Sequence, residues 1–184
     1  MSVFTAHTAE TAPAAARPTM AGVQRKLGHL PEAVARMAES PELLKGFLTA
    51  NATFESTDLD PVEREVVVLT VATRNECHVC VAMHTATITR QGADPELVAA
   101  LRDSAPLADP RLEALRRFTV AVLDHRGAVP DGELHAFLAA GWRPRHALDV
   151  VLGVGTYTIS TFANRLTDAP LDPALAGHAW APAA

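Results

Sequence analysis

Cysteine is almost absent from this chain of 184 residues: there are two, and they stand together as Cys77-His78-Val79-Cys80. A framework stapled by several disulfides is therefore excluded, and a lone pair at this spacing reads as redox or metal chemistry. Runs of Lys and Arg with interleaved aromatics are missing too; aromatics make up 5% and the formal net charge is -5. Nucleic acid is not an expected partner. No apolar stretch approaches the ~20 residues needed to span a bilayer, so no membrane partner is expected. The N-terminus lacks the basic segment and continuous apolar run of a secretion signal, so the expected location is the cytoplasm. No fixed period repeats, which excludes a solenoid. What remains is 48% hydrophobic, enough for one sizeable core in one domain.

The chemistry concentrates between Asp60 and Gly92. Two thiols separated by two residues can close a disulfide with little backbone movement, because one helical turn brings their side chains together. His84 follows Cys80 at i+4, so a helix would stand the imidazole beside that sulfur. A base beside a thiol raises the thiolate fraction, and the thiolate is the nucleophile. Glu65 lies twelve residues before Cys77, one element earlier. Three readings compete. The cysteines can be ordinary buried residues. They can hold zinc with His84 and either His78 or Glu65, although structural zinc sites draw ligands from two separated elements and no second Cys/His pair lies downstream. Or they form a redox-active dithiol, which the neighbouring His and acid favour. His78 is an i+1 neighbour that points away from the pair on a helix.

The rest of the chain is punctuated for helices. Ser40-Pro41, Asp60-Pro61, Asp94-Pro95 and Asp109-Pro110 each place a capping side chain before a proline suited to the first helical position. Glu63 completes a capping box with Asp60. Val66 to Val71 is strand-like in propensity, yet the N-terminal signals and the thirteen residues before Asn75 indicate a buried helix. Asn75 is expected to cap the next helix near Glu76, with Cys77 in its first turn, where the helix dipole stabilises a thiolate. The segment from Arg145 to about Leu166 reads as a core helix in which Gly153 and Gly155 allow another helix to approach closely. Residues 1–17 are expected to form a mobile arm able to lie over a neighbouring subunit, 18–167 the helical domain, and 168–184 an irregular tail. Val150 to Ile159 offers more apolar face than a small bundle readily hides, which points to a homo-oligomer.

The pattern Glu-x11-Cys-x2-Cys-x3-His, met as Glu65, Cys77, Cys80 and His84, resembles the alkylhydroperoxidase AhpD-like branch of the carboxymuconolactone decarboxylase family. The surrounding REVVVLTVATRNECHVCVAMHT resembles the family's helix, short Asn-containing break, CxxC and His-Thr. FTAHTAETAPAAARP, LGHLPEAVARMAESPELLKGF and TFANRLTDAPLD resemble the flanks of its peroxidase-related members. The resemblance implies an all-α oligomer of about seven or eight helices, with CxxC at the N-terminus of a central one. It also implies a cofactor-free peroxidase or disulfide oxidoreductase. His84, oriented by Glu65, would activate Cys80 to attack a hydroperoxide, Cys77 would close the disulfide, and an outside dithiol, a lipoyl or thioredoxin-like donor, would reopen it. Which cysteine attacks stays open in the residues themselves, since the helix terminus favours Cys77 and the neighbouring base Cys80; the family's usual assignment is Cys80. One departure stands out: AhpD has a histidine immediately before its second cysteine, where this chain has Val79. The decarboxylases proper lack the cysteine pair, so their lactone reaction is not expected. His78, Tyr157, Asn164 and Arg165 are accessory candidates, an Asn-Arg pair recurring in such relatives; a helix-end salt bridge or subunit contact is the alternative for the last three. A metal-binding domain and a non-catalytic redox sensor are the rival functions.

Overall fold

A computed structural model describes residues 3–182. Its described residues form nine α-helices and a closing 3-10 helix, with no strand. They are α1 (Arg17–Leu27), α2 (Glu32–Met37), α3 (Pro41–Glu55), α4 (Pro61–Arg74), α5 (His78–Arg90), α6 (Pro95–Arg102), α7 (Pro110–Asp124), α8 (Asp131–Ala139) and α9 (Pro144–Leu166), then Pro173–His178. The resemblance implied about seven or eight; counting the short α2 and α6 separately gives nine. The Ser/Asp-Pro punctuation does what its chemistry predicts. Ser40, Asp60, Asp94 and Asp109 each accept a backbone N–H of the first turn of α3, α4, α6 and α7, and Glu63 returns the bond to the Asp60 N–H.

The central element is α4, which packs against α5, α7 and α9. Val66, Val67, Val68, Leu69, Val71 and Ala72 are all buried. Helix propensity penalises valine by only tenths of a kcal/mol, up to about 0.7. Burying a valine side chain returns about 1.5–3 kcal/mol. Burial therefore decides the conformation of this run, and the caps fix where it begins.

The longest helix, α9, crosses α3 and α4 at Gly153. A β-carbon there would stand 2.7 Å from the Phe54 ring and 2.9 Å from Val67 Cγ1. Gly153→Ala should therefore destabilise the fold by about 1–3 kcal/mol, the usual cost of overpacking, measurable by denaturant titration. Gly155 does not share this role: nothing lies within 4 Å of its would-be β-carbon, and it faces outward.

Both ends of the described residues pack against the helices of their own chain. Within the segment read as an arm, Ala12 and Ala16 are buried, the His7 N–H donates to Ala35 O, and the His7 ring bonds Glu39 at 2.7 Å. Arg36 on α2 donates to Phe4 O. These contacts lay the described part of the segment along α2 of its own chain. After Thr167 the tail carries the 3-10 turn, and Trp180 Nε1 donates to Arg102 O. No described helix is long and apolar enough to cross a membrane.

Candidate active site

The α4–α5 junction is a sharp reversal in which Glu76 takes a left-handed φ of 51°. Arg165 on α9 clasps it, donating to Asn75 O at 2.8 Å and Glu76 O at 2.9 Å. Asn75 Nδ2 donates to Thr161 Oγ1, also on α9. Asn75 closes α4 instead of capping α5, because the cap position of α5 is taken by Cys77 itself. Its sulfur accepts the Cys80 backbone N–H at 3.4 Å.

The two sulfurs lie 2.6 Å apart, both buried. Asn164 Nδ2 donates to Cys80 Sγ at 3.2 Å and reaches Cys77 Sγ at 4.0 Å, and Ser160 Oγ is 3.8 Å from Cys80 Sγ. The Cys77 thiol is drawn down to about 7, chiefly because the Cys80 thiol hydrogen-bonds its anion. The Cys80 backbone N–H, Asn164 and the charge of His84 act in the same direction, against burial. Cys80 is pushed well up, first by that same bond to Cys77, then by burial and by the neighbouring anion. One proton thus serves two sulfurs, and the charge rests at the helix N-terminus, where the dipole favours it.

His84 Nδ1 pairs with Glu65 Oε2 at 2.8 Å across the α4–α5 interface. The His84 ring packs edge-on against Tyr157, with centroids 5.0 Å apart, and Tyr157 Oη donates to Asn51 Oδ1 at 2.7 Å. Burial pushes the Tyr157 phenol up, so it stays protonated and keeps that bond. The i, i+4 spacing does not yield a hydrogen bond from His84 to Cys80; the carboxylate holds one ring nitrogen and the other is left for the adjacent cavity. That cavity, about 290 Å³, is lined by Glu65, His84, Tyr157, Ser160 and Asn164 and by the apolar Val34, Phe47, Phe54, Val68 and Met83.

The remaining candidates separate. His78 is exposed and joins nothing in the site. Val79 is buried in the core, so no side-chain relay occupies the position at which AhpD has histidine. No group of three His, Cys, Asp or Glu residues able to hold a metal forms among the described residues, so the four ligands of the zinc reading are not assembled. Ser160 and Asn51 escaped the sequence reading. Ser160 had a signal: Tyr157, Ser160, Thr161 and Asn164 recur at helical spacing on one face of an apolar helix, where buried polar groups need a reason.

These features define a helical domain with a dithiol at a helix N-terminus and a carboxylate-held histidine beside it. The sequence profile of the Carboxymuconolactone decarboxylase family matches residues 39–121, which carry Glu65, Cys77, Cys80 and His84. Over this segment, which is less than half of the chain, the sequence is similar to that family. The fold is similar to the AhpD core of an uncharacterized peroxidase-related protein from Ralstonia eutropha JMP134. The TM-score is 0.82 at 20% identity, over 95% of this chain and 94% of that one. A peroxidase-related protein from Silicibacter sp. TM1040 gives 0.75 at 20% identity, over 90% and 88%. The debrominase Bmp8, in complex with 2,3,4-tribromopyrrole, gives 0.75 at 15% identity, over 97% and 96%. At these identities the likeness is one of fold. No curated protein matches the sequence.

Proposed function

We propose that this protein is a cofactor-free thiol peroxidase that reduces organic hydroperoxides through a Cys77–Cys80 dithiol-disulfide cycle. The observation that carries the reading is a pair of sulfurs 2.6 Å apart whose partners, Ser160 and Asn164, line an apolar cavity together with a carboxylate-held histidine. Cys80 is the nucleophile, since its partners face the cavity, and the Cys77 anion 2.6 Å away takes its proton. The Cys80 sulfur attacks the terminal peroxide oxygen, the S–O bond forming as O–O breaks. His84 protonates the departing alkoxide, with Glu65 fixing the ring through Nδ1. Cys77 then attacks the sulfenic acid, the disulfide forms and water leaves. An external dithiol, lipoyl or thioredoxin-like, takes the oxidising equivalent away by exchange. The cytoplasm, where dithiols are kept reduced, suits this cycle. Steady-state assay of several hydroperoxides with such donors tests the reading: catalytic turnover with bulky alkyl hydroperoxides is expected, and an inert protein whose dithiol never closes would overturn it.

A second reading draws on the apolar cavity and on the debrominase that shares the fold over nearly the whole chain. The same dithiol carries two electrons, enough to exchange a ring bromine for hydrogen with release of bromide and formation of the disulfide. Bromide release from a bromopyrrole, set against hydroperoxide consumption, separates the two activities.

The working unit is a homo-oligomer. Along α9, Leu148, Val151, Ile159, Phe162 and Leu166 are exposed on one face, Leu148 and Leu166 to more than 70%. A stripe of this kind is what a second copy would cover. Sedimentation at micromolar concentration should show an oligomer, and Phe162→Asp should shift it to monomer.

A further inference from the structure

The buried side chain of Asn164 has one end engaged and one end idle. Its Nδ2 donates to Cys80 Sγ at 3.2 Å, while Oδ1 is buried and no protein group donates to it. Asn164 is 2% exposed and lines the cavity shared with His84, Tyr157 and Ser160. The amide cannot be turned over to satisfy the idle oxygen, because a carbonyl would then face the sulfurs and Cys80 would lose its donor. An unpaired buried acceptor is a cost to the folded state and calls for an explanation, and a donor supplied from the adjoining cavity is one.

We propose that Asn164 is a catalytic residue that holds the hydroperoxide: its Oδ1 accepts the peroxide O–H while its Nδ2 holds the Cys80 sulfur that attacks. This rests on the peroxidase reading above and adds a substrate requirement to it. A hydroperoxide carries one O–H donor, on the oxygen that the sulfur must attack. An acceptor on the same amide that fixes the sulfur therefore brings these two atoms together. As S–O forms and O–O breaks, the hydrogen stays on the transferred oxygen, so the same acceptor then holds the Cys80 sulfenic acid until Cys77 displaces water from it. A peroxide without O–H, or a disulfide, finds no such partner.

Two variants and two reagents test this. Asn164→Ala removes both ends, while Asn164→Asp keeps an acceptor but replaces the donor with a charge that repels the thiolate. Oxidation of the dithiol by an alkyl hydroperoxide and by a small disulfide is followed under single-turnover conditions. Circular dichroism is used to establish that both variants are folded. In Asn164→Ala the hydroperoxide rate should fall by about 10²–10³-fold, the usual cost of one lost transition-state hydrogen bond. The disulfide rate, which feels only the loss of thiolate, should fall about tenfold or less. Asn164→Asp should slow both reagents by a similar factor. Equal losses for both reagents in Asn164→Ala would reduce Asn164 to a thiolate partner and overturn the proposal, as would no loss for either. If the wild-type dithiol reacts with the disulfide but not with hydroperoxide, the peroxidase reading falls and this role falls with it. A wild-type protein that turns over hydroperoxide while Asn164→Ala shows no selective loss removes this inference alone.

Discussion

His84→Ala should slow hydroperoxide-driven closure of the Cys77–Cys80 disulfide by about 10²–10⁴-fold, the range typical of a positioned general acid or base. The geometry makes this a statement about the leaving oxygen. His84 has no hydrogen bond to either sulfur, and its Nδ1 is held at 2.8 Å by Glu65. With Nδ1 fixed by the carboxylate, the other ring nitrogen is the one placed to give a proton to the departing alkoxide. Two consequences set this apart from a base acting on Cys80. Raising the pH should not rescue His84→Ala, because hydroxide supplies thiolate but not acid. The thiol titration should move only slightly, since the His84 charge is the last and smallest influence on Cys77. Glu65→Gln should cost less than His84→Ala, as an amide still orients the ring. Full rescue at high pH, with a displaced thiol titration, would return His84 to the role of base toward Cys80.

The difference between those two roles shows what the sequence could and could not convey. Spacing along one element was legible: the Asp60 cap, the Glu63 return bond and the helix through Val66 to Val71 follow from local chemistry and length. Glu65 and His84 were legible as a pair because both lie on helices whose register the motif fixes. Illegible was anything decided by how α9 lies across the α4–α5 junction. Whether Gly153 or Gly155 meets Phe54 depends on the rotation of α9, and only Gly153 does. That same rotation turns Ser160 and Asn164 onto the sulfurs and Arg165 onto the reversal at Glu76. The reversal in turn pulls Cys77 out of the first helical turn into the cap, a shift of one residue that propensity at Asn75 does not predict. The arm, too, depended on tertiary contacts: Ala12 and Ala16 are small enough to nest against their own chain, which composition alone does not reveal.

The pair of cysteines should behave as one acid, and Cys80→Ala exposes this most sharply. In the wild type the Cys77 anion is held by the Cys80 thiol and backbone N–H, and its titration is drawn down to about 7. Replacing Cys80 with alanine removes the first and largest of those supports and leaves burial, which acts the other way. The midpoint should therefore rise to the ordinary cysteine value of about 8.5 or beyond. At pH 7 a midpoint of about 7 leaves half the thiol ionised, whereas one near 8.5 leaves about 3%, so thiolate should fall by more than about tenfold. The sign follows from the direction of the shift: the deficit is largest near neutrality and vanishes above the raised midpoint, where both proteins are fully ionised. Ultraviolet titration of thiolate absorbance reads this without requiring turnover. Disulfide closure and peroxide turnover should be lost altogether in Cys80→Ala. In Cys77→Ser, by contrast, Cys80 should still be oxidised, though more slowly, and stop at a trappable sulfenic acid because no second sulfur is there to displace water. A Cys80→Ala protein that titrates like the wild type would mean that the helix terminus alone acidifies Cys77. A sulfenic acid trapped on Cys77 in that variant would transfer the attack from Cys80 to Cys77.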